Sequence, residues 1–129
     1  MIVVDASFFV VVLADDEGAG MRFRDRLQRE RLIAPELLDL EVSQSLRALV
    51  LRRQLTAERA EEALEDLATF PVQRFPHSWL VPRCWELRHN LSIYDASYVA
   101  LAEVFQATLV TSDQRLAKAK PHCDVEVHR

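Results

Sequence analysis

Four acidic residues, far apart in the sequence, occupy positions from which they could build a catalytic site. Asp5 directly follows a short apolar run, and Asp113 directly follows the apolar run 108–111. Asp95 lies in the first turn of one predicted helix and Glu41 in the second turn of another. In an open α/β sheet, strand carboxyl ends and helix amino ends gather at one edge, where sites form. The spacing therefore predicts that the four carboxylates meet.

Four carboxylates at one edge would repel one another. A like-charged pair about 4 Å apart costs roughly 4 kcal/mol at an effective dielectric constant of about 20. Either some of the acids stay protonated or a cation lies among them. The candidate ligands are all hard oxygen donors, and the histidines show no pairing at helical spacing, so zinc fits poorly. Mg²⁺ fits, with Mn²⁺ as a possible substitute, and the matching chemistry is metal-assisted phosphodiester hydrolysis.

Two of the acids also have a purely structural interpretation. Ser92 followed by Asp95 resembles a capping box with Asp in place of the usual Glu. Glu41 borders the apolar stripe of its helix, where a glutamate is ordinarily solvated and does no chemistry. The arrangement of all four acids, more than any one of them, favours the site.

Composition excludes several other classes of protein. The chain has 129 residues, half of them hydrophobic, which suits one domain with a real core. We expect no membrane span, because no apolar run reaches about 18 residues, and no signal peptide, because Asp5 interrupts an apolar start without a basic leader. Cys84 and Cys123 are expected to be ordinary thiols in a reducing compartment, hence a cytoplasmic protein. The chain contains only two glycines, which is too few for a glycine-rich phosphate-binding loop.

The formal net charge is -4, so the protein is not expected to coat nucleic acid by bulk charge. An acidic site with local basic residues remains compatible with this charge. Arg47, Arg115 and Lys118 are the candidates for contacting the phosphates of a nucleic acid.

Short apolar strands alternate with helices along the chain, which predicts an α/β fold with a parallel sheet covered on both faces. Strands are predicted at 1–4, 31–34, 72–75, 108–111 and 124–127. Helices are predicted at 21–30, 36–53, 56–69, 79–89 and 91–106, with a short one after Asp113. The run 8–13 is predicted as a short helix capped by Ser7, or else as a continuation of the first strand.

Side-chain patterns add finer expectations. Trp79 and Trp85 are predicted in the core and not on a base-stacking surface. Tyr94 and Leu64 are predicted to face inward, and Asn90 to end its helix in the left-handed conformation.

Four stretches together resemble the PIN-domain ribonucleases, and more narrowly the VapC toxins of bacterial toxin–antitoxin pairs. They read MIVVDAS at 1–7, APELLDLEVSQSLRAL at 34–49, LSIYDASYVALAE at 91–103 and TLVTSDQRLAKA at 108–119. Their order and separations are those of the family, and the resemblance covers almost the whole chain.

The resemblance implies one PIN domain over residues 1–129, a three-layer fold with a central parallel sheet of four to five short strands flanked by helices. It implies a Mg²⁺-dependent endoribonuclease whose catalytic and metal-binding residues are Asp5, Glu41, Asp95 and Asp113. Ser7 would support Asp5, and Thr111 would place Asp113. Relatives form homodimers and are silenced by a cognate VapB-type antitoxin, for which the apolar run 8–13 offers a candidate surface.

Two rival functions remain open at this point. A receiver domain for signalling would need an acidic pair after the first strand and a phosphoacceptor Asp after the third. Here Asp5 stands alone, and 72–75 is followed by Pro76. A PIN-like scaffold that binds partners without cleaving would be expected to lack one of the acids, and none is missing.

Overall fold

Five short parallel strands form the central sheet of the computed structural model, which describes all residues from Met1 to Arg129. The strands are β1 (Ile2–Val4), β2 (Leu32–Pro35), β3 (Val72–Phe75), β4 (Thr108–Thr111) and β5 (Val125–Val127). Their spatial order is β3-β2-β1-β4-β5, and every neighbouring pair is parallel. Because β1 is central, Ile2 is in register with both Leu32 and Thr108. The predicted parallel sheet is confirmed, with five strands.

Seven helices complete the two outer layers. They are α1 (Ala6–Ala14), α2 (Gly18–Leu27), α3 (Leu37–Leu51), α4 (Ala57–Thr69), α5 (Val81–Glu86), α6 (Ile93–Phe105) and α7 (Gln114–Lys118). Helix α1 packs against α2, α3 and α4, whereas α5 packs against α6, which lies across β1, β2 and β4. None of these helices combines the length and apolar composition that crossing a membrane requires.

Helix α6 contains the longest run of consecutive buried residues of any helix in the fold. Every residue from Ala96 to Ala102 is buried. Alanines at 96, 100 and 102 favour the helix and leave little side-chain bulk between its backbone and the sheet. Ser92 caps the helix by accepting a hydrogen bond from the backbone N–H of Asp95 at 3.0 Å. The cap therefore begins α6 at the same sheet edge where β1 and β4 end.

The start of α1 corrects one prediction and decides another. The run after Ser7 is helical and does not continue the first strand. Its N-cap is Asp5 and not Ser7, because the Asp5 carboxylate accepts the hydrogen bond from the Phe8 backbone N–H at 3.0 Å. Asp5 is the only residue between β1 and α1, so its side chain is both the acid at the strand end and the N-cap of the helix.

The predicted burial of the two tryptophans was wrong. Trp79 is 47% exposed and Trp85 is 60% exposed. The core side of this segment is taken by Leu80, Cys84 and Leu87, which recur at helical spacing, so the tryptophans fall on the opposite side. The guanidinium group of Arg88 lies 4.5 Å from the ring centroid of Trp85.

Three smaller expectations also failed. Tyr94 is 61% exposed, because it lies at the first turn of α6, before the helix reaches the sheet. Leu64 is exposed and Ala63 takes the buried position on α4. Asn90 has no positive φ, whereas Gln106 adopts the left-handed conformation that ends α6.

Candidate active site

The four predicted acids line one pocket at the carboxyl edge of the sheet. Asp5, Glu41, Asp95 and Asp113 all border a cavity of about 250 Å³, and Ser7 borders it too. These residues come from the start of α1, from α3, from α6 and from the start of α7. The structure thus brings together the acids that the sequence separates by as many as 108 positions, 113 − 5.

Asp5 is the most deeply buried of the four, with only 4% of the residue exposed. Its Oδ1 accepts hydrogen bonds from the Ser7 hydroxyl at 2.8 Å and from the Phe8 amide, and its Oδ2 accepts one from the Thr111 hydroxyl at 2.5 Å. Burial raises the pKa of Asp5 to about 6, against the opposing effect of these donors. The charge of Asp95 adds a smaller upward contribution to this pKa.

Thr111 joins the two central strand ends that carry the site. Its hydroxyl donates to Asp5 and accepts the backbone N–H of Asp113 at 2.9 Å. The Ser112 amide donates to the Ser7 hydroxyl at 3.2 Å. Ser7 and Thr111 therefore occupy the supporting positions that the resemblance implied, one beside each strand-end acid.

Asp95 takes part in the helix cap through its backbone only. Its amide donates to the Ser92 hydroxyl, but its carboxylate does not accept the reciprocal bond from the Ser92 amide, so a full capping box is not formed. The carboxylate faces the pocket instead. Burial raises the pKa of Asp95, the Arg115 guanidinium and the nearby Ser92 hydroxyl oppose that rise, and the charge of Asp113 adds to it.

Asp113 is paired with the one basic side chain of the pocket. Its Oδ2 lies 2.5 Å from Nη2 of Arg115, and its Oδ1 caps α7 by accepting the Arg115 amide at 2.9 Å. Arg115 also lies 3.9 Å from Oδ2 of Asp95. The Arg115 guanidinium holds the pKa of Asp113 below its usual value. This pocket cation therefore reduces the repulsion between two of the four acids.

Glu41 is half-buried on α3, and burial raises the pKa of its side chain. The charge of Asp95 acts in the same direction, and the nearby Tyr98 hydroxyl acts against it. Gln44, Ser45 and Tyr98 also line the pocket, although the sequence analysis did not select them. They lie three or four residues after Glu41 or Asp95, so helical spacing places them on the same faces.

The other two basic candidates do not line the pocket. Arg47 and Lys118 are exposed, and neither is among the pocket residues. Arg47 lies six residues after Glu41, which turns it about 240° around the helix axis. Of the three candidates, only Arg115 lies at the acids.

The donor set fits Mg²⁺ better than a softer metal, because every candidate ligand is a carboxylate oxygen. No group of three or more His, Cys, Asp or Glu side chains is close enough to hold a metal ion directly. This spacing suits an ion that keeps several waters and contacts only one or two carboxylates. Burial raises the pKa values of Asp5, Glu41 and Asp95, and the charge of a neighbouring carboxylate adds a smaller rise to each, so a cation among them would be stabilised.

The chain is similar to known proteins in both sequence and fold. The model of the PIN domain family matches residues 2–120. Ribonuclease VapC9 of Mycobacterium tuberculosis is 43% identical over 128 residues, which is 98% of each chain. Ribonuclease VapC1 of the same organism is 40% identical over 129 residues, 98% of this chain and 97% of the relative.

Two solved structures share the fold at low sequence identity. The toxin VapC20 of M. tuberculosis, described as cleaving the sarcin-ricin loop, has a TM-score of 0.70 and 18% identity, covering 94% of this chain and 96% of its own. VapBC2 of Rickettsia felis, bound to a DNA fragment from its promoter, has a TM-score of 0.69 and 15% identity, covering 98% of both chains.

Replacing Thr111 by Val should destabilise the protein by about 1–3 kcal/mol at pH 7.5, because a buried carboxylate loses a donor and the Asp113 amide loses an acceptor. Ser7→Ala should cost less, since Ser7 is only partly buried and water can replace its hydroxyl. Urea unfolding measures both. Thr108→Val on the same strand is the matched control, because the Thr108 side chain is partly exposed. A Thr111→Val protein as stable as this control would show that the bond is not structural.

Proposed function

The chain belongs to the PIN-domain family and, within it, to the VapC ribonucleases, and from this premise we propose that it is a Mg²⁺-dependent endoribonuclease toxin. One observation supports the proposal of metal-dependent chemistry: four carboxylates from distant parts of the sequence line a single pocket. No structural need explains that concentration of negative charge, since the repulsion opposes folding. RNA is proposed as the substrate because the similar curated proteins are named ribonucleases.

In this proposal Asp5, Glu41, Asp95 and Asp113 together hold the ion, one or two of them directly and the others through its waters, with Mn²⁺ as a possible substitute for Mg²⁺. A bound divalent ion supplies an activated water and neutralises charge that develops on the phosphoryl group. Ser7 and Thr111 hold the Asp5 carboxylate in a fixed orientation through hydrogen bonds at 2.8 and 2.5 Å. Their part is to prevent Asp5 from turning away from the pocket.

Glu41 is proposed to accept a proton from a water, and the assignment rests on its surroundings. Burial raises the pKa of Glu41, but it also raises the pKa values of Asp5 and Asp95, so the pKa does not distinguish Glu41 from them. Its carboxylate, unlike that of Asp5, is not held by a network of short hydrogen bonds, so an Oε atom is available to a water in the pocket. Arg115, once displaced from Asp113, would bind a phosphate of the RNA.

Of the rival functions, the receiver domain is excluded by family membership. A PIN-like scaffold that binds without cleaving is the remaining alternative. It predicts no metal-dependent RNA cleavage by the purified protein, so the same cleavage assay decides between the two.

We further propose that the chain is silenced by a VapB-type antitoxin. The structural relative from R. felis is a VapBC assembly. The apolar run 8–13 is not the exposed surface expected for this partner, because Phe8, Phe9, Val12 and Leu13 are buried. Its partly exposed members, Val10 and Val11, line a groove of about 440 Å³ with apolar residues of α3 and the segment after it. An amphipathic helix of the antitoxin would fit such a groove.

The expected homodimer is proposed on separate grounds. Val81, Trp85, Ile93 and Tyr94 expose large apolar side chains on α5 and at the start of α6. Exposed apolar clusters commonly mark protein–protein interfaces. Light scattering of the purified protein should give a mass close to twice 14.8 kDa. A monomer at micromolar concentration would contradict the proposal.

Expression of the chain without its antitoxin should arrest growth of the native host, because uninhibited RNA cleavage stops protein synthesis. Colony counts after brief induction measure the effect. The Asp95→Asn chain, expressed at the same level, is the control and should be harmless. Harmless expression of a folded wild-type chain would contradict the toxin assignment.

Cleavage of single-stranded RNA should be abolished by EDTA and restored by Mg²⁺ or Mn²⁺. The Asp95→Asn protein should lose cleavage at least about 10- to 100-fold, the scale of loss at metal sites. Its melting temperature without metal should stay the same or rise, because removing the charge of Asp95 relieves the repulsion between the carboxylates of the pocket. Stabilisation by added Mg²⁺ should shrink.

The capping interpretation of Asp95 forecasts the reverse, a lower melting temperature with cleavage intact. Asp25→Asn, at an exposed acid of α2, controls for the loss of one negative charge. Thermal unfolding with and without Mg²⁺ is run beside the cleavage assay. An Asp95→Asn protein that melts earlier and cleaves at the parent rate would remove Asp95, and the four-acid site with it.

Arg115→Ala should reduce the slope of log binding constant against log salt by about one unit, as expected for one lost phosphate contact. RNA binding is measured in an Asp95→Asn background so that the substrate stays intact. Lys118→Ala is the comparison, because Lys118 is a basic residue of the same short helix that does not line the pocket. An unchanged slope in Arg115→Ala would show that Arg115 does not contact an RNA phosphate. A reduced slope in Lys118→Ala would show that the RNA contacts Lys118.

A further inference from the structure

Tyr98 carries the only buried side-chain polar atom in the structure that has no hydrogen-bond partner. The residue is 1% exposed, and its hydroxyl is unpaired. Buried polar groups in native proteins are nearly always satisfied, so each exception requires an explanation. Tyr98 lies three residues after Asp95 on α6, and it lines the same pocket as the four acids.

The charged groups that face this hydroxyl are all carboxylates. Burial raises the pKa of Tyr98, and the charges of Glu41, Asp5 and Asp95 raise it further. A tyrosine hydroxyl, with an ordinary pKa of about 10, carries its proton at neutral pH and can donate a hydrogen bond. Arg115, the cation of the pocket, is engaged by Asp113. The Tyr98 hydroxyl is consequently the one fully buried free donor of the pocket, because Gln44 and Ser45 are more exposed.

Among the acids, the Glu41 carboxylate acts most strongly on this hydroxyl. The hydroxyl is close enough to this carboxylate to favour its ionised form, yet the two groups do not meet the geometry of a hydrogen bond. The fold itself does not need the hydroxyl, because it makes no bond to the backbone or to any other side chain.

We propose that Tyr98 is a positioning residue of the active site, whose hydroxyl donates to the Glu41 carboxylate when a divalent ion occupies the pocket. This hydrogen bond would hold one oxygen of the Glu41 carboxylate and orient the other oxygen toward the ion. Groups that orient metal ligands in this way contribute substantially to metal affinity. The inference rests on the proposed function, since it requires that the four-acid pocket binds a divalent ion.

The test replaces each of the two tyrosines of α6 with Phe. Tyr98→Phe removes only the unpaired hydroxyl. Tyr94→Phe, at a position 61% exposed on the same helix, is the matched control. Three quantities are measured: the melting temperature without metal, the Mn²⁺ dissociation constant from paramagnetic resonance of the free ion, and kcat and KM for cleavage of a single-stranded RNA.

Tyr98→Phe should melt at or above the wild-type temperature without metal, because an unsatisfied buried group is removed. Its Mn²⁺ affinity should fall about 10- to 100-fold, and kcat should fall at saturating Mn²⁺ with KM for RNA little changed. Tyr94→Phe should match the wild type in Mn²⁺ affinity and kcat. This combination of an unharmed fold and a weakened metal site is not expected of a residue that only fills the core.

The outcomes separate the inference from the proposed function. If the wild type binds Mn²⁺ and cleaves RNA, but Tyr98→Phe does both equally well, the positioning role is wrong and the proposed function stands. If the wild type neither binds Mn²⁺ nor cleaves RNA, both are wrong. A Tyr98→Phe protein that melts well below the wild type without metal would show that the hydroxyl serves the fold, and this too would overturn the inference.

Discussion

The carboxylate of Asp5 is buried at the end of the central strand, and much of the site follows from what its burial requires. A charged group removed from water is stable only when donors surround it. The donors here are the Ser7 hydroxyl, the Phe8 amide and the Thr111 hydroxyl. They belong to the start of α1 and the end of β4. The bonds that stabilise the acid are therefore the same bonds that join these elements at the sheet edge.

The other three acids are held less firmly, and each in a different way. Asp113 is paired with Arg115, whose side chain is 77% exposed. Asp95 is positioned by the first turn of α6 and Glu41 by the side of α3, both half-buried. The pocket thus combines one buried, hydrogen-bonded acid with three acids that are partly exposed. Such a pocket can bind a hydrated ion and a phosphate without distorting the strand ends.

The convergence of three of the four acids on one pocket could be predicted from the sequence, because local structure marks their positions. Asp5 and Asp113 follow apolar strands, and Asp95 follows a recognisable cap, so the gathering of their elements at one edge could be deduced before any geometry was known. Trp79 and Trp85 were misplaced because hydrophobicity does not say which face of a short helix is buried.

The details of the pocket lay beyond such reasoning. The three basic candidates lie on helices that carry an acid of the site or are capped by one: Arg47 on α3, and Arg115 and Lys118 on α7. Only the direction of its side chain distinguishes Arg115, which reaches the pocket, from the other two. The unpaired hydroxyl of Tyr98 depends on the relative placement of α6 and α3 to within an ångström or so. That placement is set by packing across the whole core and not by any local pattern.

The position of β1 at the centre of the sheet has a consequence for when the site can exist. β1 is made first, but it pairs with β4 only after more than a hundred further residues, and the bond from Thr111 to Asp5 spans 106 positions. Contacts of such high sequence separation form late and as part of the global folding event. A chain emerging from the ribosome therefore carries Asp5, Glu41 and Asp95 for some time before it can assemble the pocket. Synthesis of the first three acids is in this way separated in time from assembly of the pocket, because the strand end that carries Thr111 and Asp113 is made near the end of the chain.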